Sequence, residues 1–201
     1  MNKKAVGTVL IVTLMAVFSV ALLFQSKSIS DEQVAVLNQI IGVPIDARQV
    51  EKVAVPSSLE AKFPAVDQLY KITGTPYYAV VLSPHGYRAP IKLMVVINRK
   101  EKKVTGIKVM QQNETPGYGE WLGEDWFVER FRGRSVEKYL KRVVLKATNS
   151  NDIVQITSAT ITTQAVINGV NSAMGIYREL ILGQEADPVP LKVEGYITEN
   201  E

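Results

Sequence analysis

Hydrophobic and polar positions follow several different periods along the chain. From Ala5 to Ser26 no residue is charged, and the run from Ala5 to Phe24 (AVGTVLIVTLMAVFSVALLF) is long enough, at ~1.5 Å per residue, to cross a hydrocarbon layer of ~30 Å. This predicts one transmembrane helix. Lys3 and Lys4 precede it, which keeps the amino terminus in the cytoplasm and sends everything after Lys27 across the membrane. A cleaved signal peptide is the competing reading, with Ser19-Val20-Ala21 as the small-residue site, but Leu22-Leu23-Phe24 continues the apolar run beyond it.

After the anchor the period becomes helical. Val34, Leu37, Ile40 and Ile41 in residues 31 to 42 predict a short amphipathic helix ended by Gly42-Val43-Pro44. Between Tyr77 and Met110 it changes to that of strands: Tyr78, Val80 and Leu82, then Ile91, Leu93, Val95 and Ile97, then Val104 to Met110, with the polar Asn98 to Lys103 as a turn. We read an antiparallel meander with one face against a core. Residues 122 to 131 suit a short helix packed through Trp126, Phe127 and Phe131, and residues 143 to 147 (VVLKA) suit another strand. Residues 160 to 182 form the longest helix, with Val166, Val170, Ala173, Tyr177 and Leu180 as its inward stripe. The fold class is therefore α+β, an antiparallel sheet with a long C-terminal helix, preceded by one transmembrane helix. The expected divisions are 1–27 for the cytoplasmic end and anchor, 28–76 for a juxtamembrane helix and connecting segment, 77–186 for the main domain, and 187–201 for a tail or strand.

Composition narrows the chemistry. With 46% hydrophobic against 21% charged residues, the part beyond the anchor can bury a core of one domain's size. The net charge of +3 is spread without a basic block, so nucleic-acid binding is not expected. The chain has no cysteine, which removes disulfides, thiolate metal sites, ordinary iron–sulfur clusters and thiol nucleophiles together. A redox role must then rest on an organic cofactor. The single histidine, His85, stands in the turn-like Ser83-Pro84-His85-Gly86 and reads as a solvated loop residue.

Two segments can carry chemistry. Thr157-Ser158-Ala159-Thr160 opens the long helix and runs on into Ile161, Thr162 and Thr163. Local physics makes it an N-cap, since hydroxyl oxygens accept from the free amides of a first turn. The same amides and the positive end of the helix dipole suit a phosphate, so a hydroxyl there can also be a point of attachment. The second segment, Glu114-Thr115-Pro116-Gly117-Tyr118-Gly119, follows the last strand of the meander. It is a tight turn by composition, and it also suits a loop that lets backbone approach a planar ring, with Glu114 and Thr115 offering polar atoms to its edge.

The run GYRAPIKLMVVINRKEKKVTGIKVMQQNETPGYGEWL, the helix ending FRGRS, and TSATITTQAVINGVNSA stand in an order that resembles the FMN-binding G subunit of the Rnf ferredoxin:NAD oxidoreductase complex. The chain is also similar to the C subunit of the Na+-translocating NADH:quinone reductase. The family's Glu-Thr-Pro-Gly-Leu-Gly matches Glu114 to Gly119 with Tyr118 for Leu, and its Ser/Thr-Gly-Ala-Thr matches Thr157 to Thr160. The resemblance implies a covalent FMN esterified through its phosphate to Thr160 by a dedicated flavin transferase, with Thr157, Ser158, Ala159, Glu114, Thr115, Gly117, Tyr118 and Gly119 around it. It further implies a non-catalytic electron relay between ferredoxin and NAD, partnered by the other membrane subunits of an Rnf-type complex. That places the chain in the bacterial cytoplasmic (inner) membrane, with lipid around its single helix and the domain on the extracytoplasmic side. Two departures stand out: Ser158 replaces Gly, which an ordinary backbone φ would accommodate, and Val154 replaces a common Asp six residues before Thr160, Asp152 lying two residues further off. The alternative is a membrane-tethered structural or ligand-binding subunit without flavin. A hydrolase with Ser158 or a threonine as nucleophile has no Gly-x-Ser-x-Gly elbow and no histidine in the same segment.

Overall fold

The computed structural model describes residues 29–193, so the expected membrane helix and the last eight residues lie outside the described part. Five antiparallel strands form a sheet in chain order: β1 (Val50–Val53), β2 (Val66–Ile72), β3 (Tyr77–Leu82), β4 (Lys92–Asn98) and β5 (Lys103–Gln111). The meander expected from Tyr77 to Met110 is its last three strands. The stretch read as a connecting segment adds two more. β1 and β2 carry charged residues (Glu51, Lys52, Asp67, Lys71) that break up their apolar periodicity, which hides them from a sequence reading.

Both faces of the sheet are covered, not one. Leu69, Tyr78, Val80, Leu82, Leu93, Val95 and Ile97 pack into the larger core, while Tyr70, Ile72, Ala79, Val81, Met94 and Val96 pack into a second. Strands buried on both sides have no reason to alternate, and YYAVVL and LMVVI do not. The second face is closed by α1 (Asp31–Ile41), whose Leu37 and Ile40 are buried there. Its boundaries are local: Ser30 and Gln33 form a reciprocal capping box, and Gly42 at φ 80° ends it with its N–H on the Asn38 carbonyl at 2.8 Å.

After β1, the short α2 (Ser57–Lys62) leads by way of Phe63 into β2. The first face is covered by α4 (Thr160–Tyr177), which continues as one π turn through Leu182. Val166, Val170, Ala173 and Tyr177 face the core as expected and Leu180 is half-buried, yet nearly every other residue of α4 is buried as well. Asn171 explains one polar member: its side chain accepts from the Leu140 N–H at 2.8 Å and donates to the Leu140 carbonyl at 3.0 Å.

Two details differ from expectation. Residues 122–131 are no single helix but a 3-10 turn (Gly119–Gly123), α3 (Asp125–Val128) and a second 3-10 turn (Glu129–Phe131). Phe127 and Phe131 are buried, whereas Trp126 is 48% exposed, with the Arg130 guanidinium 4.9 Å above its ring. The strand expected over 143–147 ends at Val143: β6 (Lys141–Val143) pairs in parallel with β7 (Asp152–Val154), and Leu145 projects 88% exposed. The run is apolar enough for a strand, but no neighbour among the described residues continues the ladder.

Candidate functional site

The loop after β5 and the start of α4 meet at one end of the sheet, and Glu114 fastens them together. Its carboxylate is buried, 4% exposed, and accepts from the N–H of Tyr87 and of Arg88, both at 3.1 Å. The Thr162 hydroxyl donates to it as well. Charge-assisted bonds of this kind are worth ~1.5–3 kcal/mol each, so one side chain pins three segments. A methyl at Gly119 would lie 2.8 Å from both Glu114 Cβ and Thr162 Oγ1, so glycine is needed for that approach. Glu114 is thus a bracket behind the site, its oxygens taken by protein donors; it does not line the cavity in front, where a ring edge would be met.

That cavity has a volume of about 410 Å³, within the range of small-molecule sites. From the loop it is lined by Thr115, Tyr118 and Gly119, and from the helix start by Ser158, Ala159, Thr160, Ile161 and Thr162. Tyr87 closes another side. A second cavity of about 500 Å³ shares Tyr118 and Ser158 with it and is walled by Gly117, Trp121, Trp126, Ile156 and Thr157. Every candidate residue except Glu114 therefore borders one cavity or the other. Tyr87, Trp121, Trp126 and Ile156 escape a sequence reading, because aromatic and apolar residues read as core unless exposure is known.

The five hydroxyls around the helix start are sorted by their partners. Thr162 is committed to Glu114, and Thr163 accepts from the Ile156 N–H at 3.1 Å. Thr157 and Ser158 are exposed on the approach. None of them caps α4: its N-cap is Ala159, with no side-chain hydrogen bond. The amides of residues 160–162 thus keep the unmet donors that a first turn always has, and these three residues line the first cavity. Thr160 stands among them, its hydroxyl 3.5 Å from Gln155 Oε1. A helix start left open, beside a hydroxyl and a cavity, can hold a phosphate on backbone N–H groups and the dipole.

Ser158 does not keep an ordinary backbone. Its φ is +59°, the left-handed region in which glycine is at ease and an L side chain costs ~1–2 kcal/mol. Asp152 is occupied elsewhere, accepting from the N–H groups of Thr148 and Asn149 at 2.9 Å each, which hold its carboxyl below the usual carboxylate range. Val154 offers its carbonyl to Arg130.

The FMN-binding domain family model matches residues 86–175, a span that contains both segments. The G subunit of the Na(+)-translocating ferredoxin:NAD(+) oxidoreductase complex of Acetobacterium woodii is 33% identical over 142 residues, 68% of this chain and 67% of that protein. The G subunit of the ion-translocating oxidoreductase complex of Aliivibrio fischeri strain ES114 is 27% identical over 203 residues, covering 92% of this chain and 95% of its own. Among solved structures, the C subunit of the Na(+)-translocating NADH-quinone reductase from Parabacteroides distasonis aligns over 73% of this chain and 90% of its own, with TM-score 0.51 and 18% identity. NqrC of Shewanella oneidensis aligns with TM-score 0.55 and 14% identity over 73% and 92%. At such identities the two structures show a shared fold.

Proposed function

The chain belongs to the G-subunit family of ion-translocating ferredoxin:NAD(+) oxidoreductase complexes, and from that premise we propose that it is an electron-relay subunit of an Rnf-type complex carrying one FMN esterified to Thr160. The observation that carries the attachment is the uncapped start of α4, where Thr160 is the threonine that lines the first cavity without being committed to Glu114 or to backbone. FMN would supply reversible uptake and release of single electrons. The chain's own residues do the rest. The amides of residues 160–162 hold the phosphate charge, and Thr115, Tyr118 and Gly119 border the space beside it. No residue of the chain acts as acid, base or nucleophile in the relay.

The same reading gives the amino-terminal segment a purpose. A single helix over Ala5 to Phe24 would keep the domain on the extracytoplasmic side of the bacterial inner membrane, among lipid and the complex's other membrane subunits. Tethering replaces diffusional search by a high effective concentration of the flavin near neighbouring redox groups. A flavin transferase is the partner required for maturation.

Intact mass of the full chain, expressed with and without a flavin transferase, tests the proposal. With the transferase the mass should rise by one FMN less one water, and Thr160→Ala should abolish that rise and the flavin fluorescence of the denatured band. A Thr160→Ala chain that still carries covalent flavin would disprove this attachment residue. One observation favours a second reading, a tethered scaffold without flavin: Ser158 places a side chain at a left-handed position bordering both cavities, where the transferase must fit. In that case the wild-type mass stays at the sequence value.

A further inference from the structure

Beside Thr160, and separate from the Glu114 bracket, a second group of side chains meets. Gln155 Oε1 accepts from the Thr160 hydroxyl at 3.5 Å and also from Arg142 Nη1. Arg142 Nε donates in turn to Gln164 Oε1 at 3.2 Å. Gln164 is four residues after Thr160 on α4, so the two side chains share one helix face. The guanidinium is thereby held at two points that flank the threonine, one before it in the chain and one a turn beyond it.

The support beneath this group is ordered. The Gln155 N–H donates to the Val143 carbonyl at 2.9 Å, extending the parallel pairing of β6 and β7 by one bond. Arg130 grips the same strand through the Val154 carbonyl, its guanidinium stacked on Trp126. Gln164 is steadied by Asn168, to which it donates at 2.9 Å. Arg142 therefore has a defined place and is not a side chain swinging in solvent.

We infer that Arg142, held by Gln155 and Gln164, supplies the countercharge for the phosphodiester on Thr160, and so sets how readily that threonine accepts the flavin. This rests on the reading of Thr160 given above. A phosphodiester keeps one negative charge, and the helix start offers about half a positive charge in partial form. A guanidinium offers a whole one, with donors in a fork that suits phosphate oxygens. Gln155 fits the same task because it is neutral and two-sided. Its oxygen accepts from the free hydroxyl, and once that hydrogen is gone its NH2 can face the ester oxygen. A carboxylate there would oppose the phosphate.

The test follows the full chain over time by intact mass, in the presence of flavin transferase and a flavin dinucleotide donor, with thermal midpoints to check folding; the Thr160 oxygen bonds to the flavin-side phosphorus as the donor's P–O–P bond breaks, and the nucleoside monophosphate leaves with the hydroxyl proton. Wild type gains one FMN less one water. Arg142→Gln should gain it about tenfold more slowly, and Gln155→Glu, which sets a negative charge between Arg142 and the phosphate while keeping the side chain's shape, by a similar factor. Arg142→Lys should stay within about threefold of wild type, and high salt should bring wild type toward the slow variants. In loaded protein the phosphorus resonance should shift in Arg142→Gln while the flavin absorbance, set by the ring, does not. Loading of Arg142→Gln at the wild-type rate overturns the inference, as does a lysine variant as slow as the glutamine one at an unchanged thermal midpoint. Wild-type protein that gains no mass overturns the Thr160 reading and this inference with it.

Discussion

Ser158 adopts φ +59° at the lip shared by the two cavities, and the strain is a property of that one residue's Cβ. Replacing it by glycine removes the clash but loosens the unfolded chain, so the net gain should be about 0.5–1 kcal/mol. For a domain of this size that is a rise of about 2 °C in the thermal midpoint. Ser158→Gly should also speed flavin attachment, since the lip loses a side chain. A lower midpoint by calorimetry would mean that the serine hydroxyl makes an interaction worth more than the strain it carries.

At the scale of elements, α4 ties the site to the core, and its glycines record how closely. A methyl at Gly175 would fall 2.3 Å from Phe63 Cε1 and 2.6 Å from the Tyr139 oxygen, distances that no ring shift of a few tenths of an ångström relieves. Gly175→Ala should therefore cost about 1–3 kcal/mol by overpacking, despite alanine's better helix propensity. Urea midpoints check this, and a stabilised variant would show that Phe63 has room to move.

What the sequence disclosed follows the same division into elements. Helix α1 is legible because apolar period and terminating glycine agree between Val34 and Gly42. The parity of β3 and β4 was legible for the face toward α4 only, because the other face is apolar too and a doubly buried strand carries no alternation. β1, β2 and β7 were invisible, being short or interrupted by charge. In the site, Thr160 and the 115–119 loop stood out through local composition. Local composition offers Glu114 to a ring edge, because nothing local reveals that the Tyr87, Arg88 and Thr162 donors converge on it. Gln155 lies 5 residues before Thr160 and Arg142 lies 18 before it, and Arg142 comes to Gln155 across the parallel β6–β7 pairing, which no local pattern announces.

Over the whole molecule, the described tail acts as a strap that joins the far end of α4 back to the site. Ala186 and Val189 are buried, and the Val189 N–H donates to the Lys62 carbonyl at 3.1 Å. The Tyr139 hydroxyl donates to the Asp187 carbonyl at 2.6 Å, and Glu179, paired with Lys62, accepts from the Ala186 N–H at 3.0 Å. Further along, the Leu191 carbonyl accepts from the His85 N–H, two residues before Tyr87, whose N–H donates to Glu114. The strap carries titrating groups of both kinds, so its hold should weaken at both ends of the pH scale. Lys62 and the Ala186 amide keep the Glu179 carboxyl below its ordinary range, so its contribution is present above pH ~4 and is lost as pH falls further. Burial pushes the Tyr139 phenol up to about 12. A raised folded value means that the unfolded chain ionises first, so stability is whole below the ordinary tyrosine value of ~10 and declines as pH climbs from there toward 12. Burial also raises Tyr70 and Tyr177, so the alkaline limb should be shared among three phenols. Tyr139→Phe should therefore make the fall in urea midpoint above pH ~10 shallower without abolishing it, while the acid limb keeps its slope. An alkaline limb identical to wild type in that variant would mean that the Tyr139 phenol ionises as readily in the folded chain as in the unfolded one.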